Sequence, residues 1–358
     1  MKFDKFTAFG YSYIHFAVEV MCFYVLTLVF KGGGIAWFFI CLYDILAFAL
    51  QPMIGAYCEK HPMFRPGILG SILLMIGAGM CLIFQGQFVL SLLGMIALTS
   101  GNGLVHISGA LATLRVSEGR LSESAIFVGG GSFGLITGRL LAGFPSLWWF
   151  AFVIEIIGLV LIIIIDKRIK ASFGDRVYDF ESVPCKHSLL RDRDIAWVVL
   201  ILGCVVIVRA FVGYGLPTAW NQTVIQTIFL YIFMGSGKML GGVFADRFGA
   251  GNVGVVTCIV AVPVLLLSDN IMWLSLIGVA LFSMTMAITL GGIVSAIPRN
   301  PGIAFGVTTI GLLLGTVPTF YVPMPGRLVC NILIVVMSIL AALGIWYCMP
   351  VGNKGGKK

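Results

Sequence analysis

The chain has 358 residues, of which 59% are hydrophobic and only 11% are charged, and its mean hydropathy is +1.05. A water-soluble domain could not bury so large an apolar fraction, so the composition excludes a soluble protein and indicates an integral membrane protein. The net charge of +8 is accompanied by no nucleic-acid-binding motif. The charge therefore predicts a bias between the two sides of a membrane and no nucleic-acid partner.

Twelve apolar segments are long enough to cross a bilayer, and each is predicted to be a helix because backbone groups in hydrocarbon must bond within their own segment. Their predicted limits are 8–30, 34–57, 67–85, 88–112, 125–143, 146–165, 195–217, 221–244, 252–268, 271–295, 301–320 and 327–349. A longer polar stretch, 166–194, holds seven Lys or Arg and six Asp or Glu. The expected fold is all-α and polytopic, with twelve transmembrane helices in two pseudo-symmetric six-helix bundles, 1–165 and 195–358, joined by the loop 166–194.

Basic residues are distributed unevenly between the connections of these spans. If both termini are cytoplasmic, eighteen of the 23 Lys and Arg lie on the cytoplasmic side, and only Lys31 and Arg327 lie outside. Positive charge marks the cytoplasmic side of short loops. The sequence therefore predicts a multi-pass protein of a plasma membrane or bacterial inner membrane, with both termini cytoplasmic and its surface in contact with membrane lipids.

Motifs for a bound metal and for ATP hydrolysis are missing from the sequence. The nine cysteines are scattered singly, without the spacing of a disulfide framework or a metal site. Neither a Walker loop nor a zinc-protease motif is present. The prediction is a protein that is not an enzyme and that holds no metal and no cofactor.

Two stretches about half the chain apart have the same pattern of glycine, three residues, an acid and a base. The first is Gly55, Glu59 and Lys60, and the second is Gly242, Asp246 and Arg247. Each ends a long apolar segment. Such an internal repeat is expected if one membrane-embedded half was duplicated, which is the architecture of many secondary transporters.

The second copy resembles the signature loop of the major facilitator superfamily, which links spans two and three and recurs more weakly between spans eight and nine. The resemblance extends over the whole chain through the span count, the central loop and the repeat. It implies the major facilitator fold, a monomer, and transport by alternating access. It also implies a gating role, remote from substrate, for six residues: Gly55, Glu59, Lys60, Gly242, Asp246 and Arg247.

Three further stretches are similar to the fosmidomycin-resistance-type branch of that superfamily. They are the segments 101–106, 129–138 and 208–217, which read GNGLVH, GGGSFGLITG and VRAFVGYGLP. This closer resemblance implies efflux driven by proton exchange.

Ionisable residues inside predicted spans identify candidate functional groups, because each costs about 2.5–3.5 kcal/mol at a helix centre. They are Glu19, Asp44, Arg139, Glu155, Arg209 and Lys238. His15 lies four residues before Glu19 and therefore shares its helix face. We expect proton coupling through Glu19 with His15, or through Asp44 or Glu155. The alternative for the His15–Glu19 pair is a fixed polar clamp between helices.

Arginine in the membrane predicts an anionic substrate, since a guanidinium binds carboxylates and phosphonates through two parallel hydrogen bonds. The candidate substrate-binding residues are Arg209, Arg139, Asn102 and His106. The alternatives are a structural salt bridge of an arginine to Glu155 or Asp44, and interhelical hydrogen bonds for Asn102 and His106. Lys238 is expected to reach the nearby membrane surface or the signature loop, and so is left out of the site.

Glycines recur at four-residue spacing in several spans, which lets helix backbones approach closely. The function predicted from all these features is proton-coupled transport of a small anionic organic solute, with efflux slightly favoured. Import by symport, lipid flipping and a non-transporting sensor on the same fold are the alternatives.

Overall fold

A computed structural model describes residues 4–30, 33–174, 189–216, 218–268, 271–321 and 325–352. These ranges consist of α-helices joined by short turns. The helices are α1 (Lys5–Val29), α2 (Gly33–Ala49), α3 (Gln51–Lys60), α4 (Pro66–Ile83), α5 (Phe88–Ser117), α6 (Ser122–Leu141), α7 (Trp148–Phe173), α8 (Ile195–Tyr214), α9 (Val224–Phe248), α10 (Ala250–Leu266), α11 (Met272–Ser283), α12 (Thr285–Ala296), α13 (Pro301–Tyr321) and α14 (Arg327–Cys348).

The predicted all-α polytopic fold is confirmed. Eleven helical spans in the described ranges are long and apolar enough to cross a membrane, and α10, with 17 residues, is a shorter apolar helix. The second predicted span is split into α2 and α3, and the tenth into α11 and α12. The largest boundary error is in the sixth span, because α7 continues eight residues past position 165 to Phe173. Hydropathy ends there, but Lys, Arg and Ala are good helix formers and continue the helix into the polar region.

Three of the predicted polar segments fall wholly or partly where the structure describes nothing. They are the connection at 31–32, most of the central loop at 175–188, and the basic tail at 353–358.

The break between α2 and α3 follows from Pro52. Proline has no backbone N–H, so it cannot complete the helical hydrogen bond to the carbonyl oxygen of Phe48. That oxygen instead accepts a hydrogen bond of 3.1 Å from Thr309 Oγ1 on α13. A proline in the sequence thus frees a carbonyl group that α13 satisfies, as a transmembrane helix requires.

The helices on either side of the central loop pack mainly among themselves, and we call α1–α7 the N half and α8–α14 the C half. In the described ranges the halves meet mainly where α6 packs against α9 and α12, and where α13 packs against α2, α3 and α5. The division of the chain at the central loop remains a proposal.

Glycines at four-residue spacing permit a close helix crossing, as predicted, and the structure shows that the partner of α6 is α1. Gly130, Gly134 and Gly138 lie against the backbone carbonyl groups of Ser12, Phe16 and Val20. A Cβ atom at any of the three would overlap backbone, which cannot move aside as a side chain can. Because α1 and α6 both belong to the N half, these glycines hold one half together.

We expect Gly134→Val to destabilise the fold by at least about 1–3 kcal/mol, because the added carbon atoms would force α1 and α6 apart. Gly79→Val is the matched control, since no atom lies within 4 Å of a Cβ at that helical glycine. Thermal unfolding of both variants in detergent, followed by circular dichroism, measures the difference. Equal loss of thermal stability in the two variants would contradict the assigned role of the crossing.

Candidate functional site

A cavity of about 250 Å³ lies between the two halves. Its walls come from α1, α2, α5 and α6 of the N half and from α8, α9, α12 and α13 of the C half. The histidine, acidic and basic residues among its lining are His15, Glu19, Asp44, His106, Arg209 and Lys238. The acids and histidines belong to the N half and the two bases belong to the C half, so opposite charges face each other across the cavity.

His15 on α1 and His106 on α5 form a close pair at the cavity wall. Their Nε2 atoms are 2.8 Å apart. The Nδ1 atom of His15 lies 2.9 Å from the carbonyl oxygen of Phe127, and the Nδ1 atom of His106 lies 2.9 Å from that of Asn102. Glu19 Oε1 lies 3.7 Å from His15 Nε2 and 3.5 Å from His106 Nε2. The predicted neighbourhood of His15 and Glu19 is therefore present, but the second histidine was not expected there, since it is 91 positions away in the chain.

Asn102 ties this cluster to its neighbours. Its Nδ2 donates to the hydroxyl of Tyr43 at 3.1 Å, and lies 3.4 Å from both Glu19 Oε1 and Cys22 Sγ. Asn102 is 2% exposed and its amide protons already have protein acceptors. Both Asn102 and His106 thus make the interhelical hydrogen bonds that were the alternative to substrate contact, and a direct substrate role for them stays a prediction.

Arg209 on α8 lines the cavity from the opposite side. It is 9% exposed, and its Nε and Nη2 atoms have no hydrogen-bond partner among the residues that the structure describes. Among the described residues, Arg209 forms no salt bridge with Glu155 or Asp44, which was the predicted alternative to substrate binding. The guanidinium is therefore a buried cation without a protein counter-ion in the described ranges.

Lys238 on α9 also lines the cavity, contrary to the sequence prediction that it reaches the membrane surface or the signature loop. Its Nζ donates a 2.9 Å hydrogen bond to Ser132 Oγ on α6, across the boundary between the halves. The prediction was wrong because position along a helix fixes the depth of a side chain but not the face on which it lies. Here that face is the one packed on α6.

Two predicted site residues are not among those that line the cavity. Arg139 is exposed, with Nη1 at 3.4 Å from the hydroxyl of Tyr231 and its guanidinium 5.4 Å from the centre of the Phe23 ring. Glu155 on α7 is 0% exposed, and neither carboxylate oxygen has a hydrogen-bond partner within the described ranges. Asp44, by contrast, does line the cavity.

The donor atoms of His15, Glu19 and His106 all lie within 4.8 Å of one another, a spacing at which three ligands can surround a metal ion. The sequence analysis predicted no metal site because it found no metal-ligand motif, and His106 comes from a span 91 positions away from His15. The 2.8 Å distance between the two Nε2 atoms bears on whether the cluster holds a metal ion or a proton.

Glu59 makes one of the contacts between the halves, at the end of the protein that is predicted to be cytoplasmic. Its Oε1 accepts hydrogen bonds from the backbone N–H groups of Gly302 at 2.7 Å and Ile303 at 3.2 Å, and its Oε2 accepts one from Asn300 Nδ2 at 2.9 Å. The first turn of a helix has unpaired N–H groups and a positive partial charge, which suit a carboxylate. Glu59 therefore caps α13 of the other half.

Asp246 makes the equivalent contact in the opposite direction. Its Oδ1 accepts from the N–H of Leu121 at 2.8 Å, and its Oδ2 accepts from the N–H of Ser122 at 2.9 Å and from the Ser122 hydroxyl. These groups belong to the first turn of α6. The two acids of the repeated motif thus cap one helix each in the partner half, and we call these two contacts and their surroundings the gate end.

The glycines of the motif permit this approach, whereas its bases take no part in it. Gly55 lies against the backbone of Gly302, and Gly242 against that of Leu121. Lys60 has no hydrogen bond or ion pair with any described residue, and the guanidinium carbon of Arg247 lies 5.3 Å from the centre of the ring of the adjacent Phe248. The acids and glycines, rather than the bases, make the contacts between the halves at this end.

Comparisons with solved structures identify the fold. The chain is similar to the E. coli fucose:proton symporter FucP, with 13% sequence identity and a TM-score of 0.70 over 96% of this chain and 98% of that one. It is equally similar to the human organic anion transporter MFSD10 (TETRAN), with 13% identity and a TM-score of 0.70 over 97% and 100% of the two chains. A bacterial homologue of the iron transporter ferroportin, in its outward-facing state, matches with 15% identity and a TM-score of 0.62 over 97% and 98%.

No protein-family model and no curated protein matches the sequence. The structural matches nevertheless cover nearly the whole chain, so the protein has the major facilitator fold that the signature loop implied. The finer likeness to the fosmidomycin-resistance branch stays a prediction.

Proposed function

We propose that this protein, which has the major facilitator fold, is a proton-coupled secondary transporter that moves a small organic anion by alternating access. The observation that carries the proposal is the cavity between the halves, where Arg209 presents two nitrogen atoms without a partner in the described ranges. Burying such a cation costs several kcal/mol unless a counter-charge joins it. A bound anion would supply that charge on the cavity side.

Arg209 and Lys238 together favour a carboxylate, phosphate or phosphonate group. Arginine offers a planar pair of donors, and lysine adds a point charge from α9. The solved structures with this fold include one of a sugar:proton symporter and one of an organic anion transporter, so both a proton-coupled mechanism and an organic anion are compatible with it. Arg139, at the exposed end of α6, would meet the anion only on its way in.

The placement of charge also bears on the direction of coupling. Glu19 and Asp44 face the two bases across the cavity, so an anion entering next to the bases is repelled while both acids are ionised. Protonation of an acid removes that repulsion, and proton and anion then bind together. This cooperativity favours symport, and it stands against the slight preference for efflux that the fosmidomycin-resistance likeness suggested.

The state of the gate end supports a transporter that is open to the opposite side. Glu59 and Asp246 each bind the first turn of a helix in the other half, and breaking both contacts would let the halves rock apart there. With the basic loops in the cytoplasm, this conformation faces outward. Gly55, Gly242, Glu59 and Asp246 then act as gating residues, with Lys60 and Arg247 at the adjoining surface, in a monomer of the plasma or bacterial inner membrane.

A lipid flippase and a non-transporting sensor are the remaining alternatives. A flippase needs an opening between helices toward the bilayer, and a sensor binds a ligand without moving it. Transport of a soluble anion into sealed vesicles separates the proposal from both.

A thermal-shift screen of the purified protein tests the binding site. A ligand that binds only the folded state stabilises it by about 2.7 kcal/mol when the free ligand is at about a hundred times its Kd. The stabilisation is measured as a higher melting temperature. We expect organic carboxylates or phosphonates to stabilise the wild type, and Arg209→Gln to abolish the effect. Arg168→Gln is the matched control, because that arginine is exposed and pairs with Asp4 outside the cavity. Stabilisation by hydrophobic cations that is indifferent to Arg209 would overturn the anion site.

A further inference from the structure

The two histidines of the cavity wall have a fixed proton count, which follows from their hydrogen bonds. A backbone carbonyl oxygen can only accept, so the Nδ1 atoms of His15 and His106, each 2.9 Å from such an oxygen, both carry hydrogen. In two neutral imidazoles, both Nε2 atoms would then be bare lone pairs. Those lone pairs face each other at 2.8 Å.

Two bare nitrogen atoms cannot remain at that distance, because neither has a hydrogen to donate. The opposite tautomer of either ring would move the conflict to Nδ1, which would then face a carbonyl oxygen with a lone pair. The remaining arrangement has one additional proton between the two Nε2 atoms, held as N–H···N. The pair then carries three ring protons and a charge of +1.

The distance between the nitrogens selects a proton over a metal ion. Tetrahedral Zn²⁺ holds imidazole nitrogens at about 2.0–2.1 Å, which places two of them about 3.3 Å apart. The observed 2.8 Å is shorter than that and is a normal hydrogen-bond length. Gly131 allows this approach, since a Cβ at that position would overlap the His15 imidazole ring.

Glu19 is the counter-ion of the shared proton. Its Oε1 is within 3.7 Å of both Nε2 atoms, and it is the acid that pairs with either ring among the described residues. The other titratable residues that line the cavity form no ion pair with either ring in those ranges; they are Tyr43, Asp44, Arg209, Tyr231 and Lys238. Loaded with a proton, the two rings and Glu19 sum to zero charge, and without it they sum to −1.

We propose that His15 and His106 share one proton between their Nε2 atoms, with Glu19 as its counter-ion, and that this three-residue cluster is the ion-coupling site of the transporter. The proton comes from water in the cavity and returns to water, with no other bond made or broken. Since the cluster is neutral only when loaded, proton binding removes the negative charge that opposes an anion at Arg209. This inference rests on the proposed function for its role in coupling, whereas the proton count stands on the geometry alone.

Nitrogen NMR of histidine-labelled full-length protein in detergent tests the count. The background variant His61→Gln with His187→Gln removes the two other histidines of the chain, so that the pair supplies every histidine signal. At neutral pH we expect three protonated ring nitrogens for each bare one, with the two Nε2 atoms averaged if the proton moves between them. Two protonated and two bare nitrogens would mean two neutral rings, and would overturn the proposal.

Variants away from the rings separate the proton site from a simple clamp. Glu19→Gln removes the counter-ion, so the pair should lose its proton and the ratio should fall from 3:1 to 1:1. Gly131→Ala should have the same effect by pushing the His15 ring aside, whereas Glu155→Gln, at a buried acid outside the cavity lining, should leave 3:1 unchanged. An unchanged ratio in both Glu19→Gln and Gly131→Ala would contradict the assignment.

A cobalt titration tests whether the cluster binds a metal ion instead of a proton. Co²⁺ added to chelator-treated protein should give no tetrahedral absorption band; a stoichiometric band that His106→Gln abolishes would show a metal site in place of the shared proton. Failure of the shared-proton assignment can be told apart from failure of the proposed transport function. If no anion stabilises the protein but the ratio is 3:1, the transport proposal fails and the proton site stands.

Discussion

Replacing Asp246 with asparagine is expected to open the gate end in a large fraction of molecules. The substitution removes the negative charge from the first turn of α6 and one of the acceptors for Leu121, Ser122 and the Ser122 hydroxyl. Hydrogen bonds to charged groups contribute about 1.5–3 kcal/mol each, and loss of about 3 kcal/mol shifts a two-state equilibrium by about two powers of ten. The population should therefore move toward the conformation that is open at this end.

Hydrogen–deuterium exchange followed by mass spectrometry measures this opening. If the halves rock as rigid bodies, exchange should become faster in the first turn of α6 and also in the first turn of α13, where Glu59 makes the second contact. Faster exchange confined to α6 would mean local fraying and would rule out a gate made of both contacts.

Asp194→Asn is the matched control for Asp246→Asn. Asp194 also caps a helix, accepting from the N–H of Ala196 at 2.8 Å, but it lies in the same half as the helix that it caps. Its loss should lower the melting temperature by the usual cost of a cap, about 1 kcal/mol, without faster exchange at α6 or α13. A change in the gate with both variants would point to general destabilisation.

The spans and their order were predictable because the bilayer imposes length and composition on each segment separately. The repeated motif also located both gate acids. What remained hidden was the partner of each acid. Glu59 and Asp246 bind backbone N–H groups more than 120 positions away, and backbone donors leave no mark in the sequence.

The cavity was harder to predict than the fold, since its composition depends on the rotation of each helix. Arg139 and Arg209 are both charged residues within spans, yet Arg209 lines the cavity and Arg139 is exposed beside it. Lys238 was misplaced for the same reason. The histidine pair could have been suspected, because polar residues in apolar spans must find partners, but no sequence pattern indicates the 2.8 Å contact.

Glu19→Gln is expected to abolish proton-driven transport while leaving anion binding in place. Removing one partner of a buried, paired charge costs about 3–5 kcal/mol, so accumulation driven by a pH gradient should fall by at least about two powers of ten. Arg209 and Lys238 lie on the opposite wall and are unchanged, so the anion can still bind and be exchanged.

Proteoliposomes and a radiolabelled form of the carboxylate or phosphonate with the largest thermal shift measure both activities. Uptake under an imposed pH gradient should be lost in Glu19→Gln, whereas exchange of internal for external anion, without a gradient, should persist. Glu155→Gln is the matched control, because this buried carboxyl group lies outside the cavity lining and should leave both activities intact. If gradient-driven uptake survives in Glu19→Gln but is lost in Glu155→Gln, the proton passes through α7 and the cavity cluster is a fixed clamp. A wild-type protein that binds the anion but moves none of it would identify a sensor, in which the opposed charges of the cavity serve recognition alone.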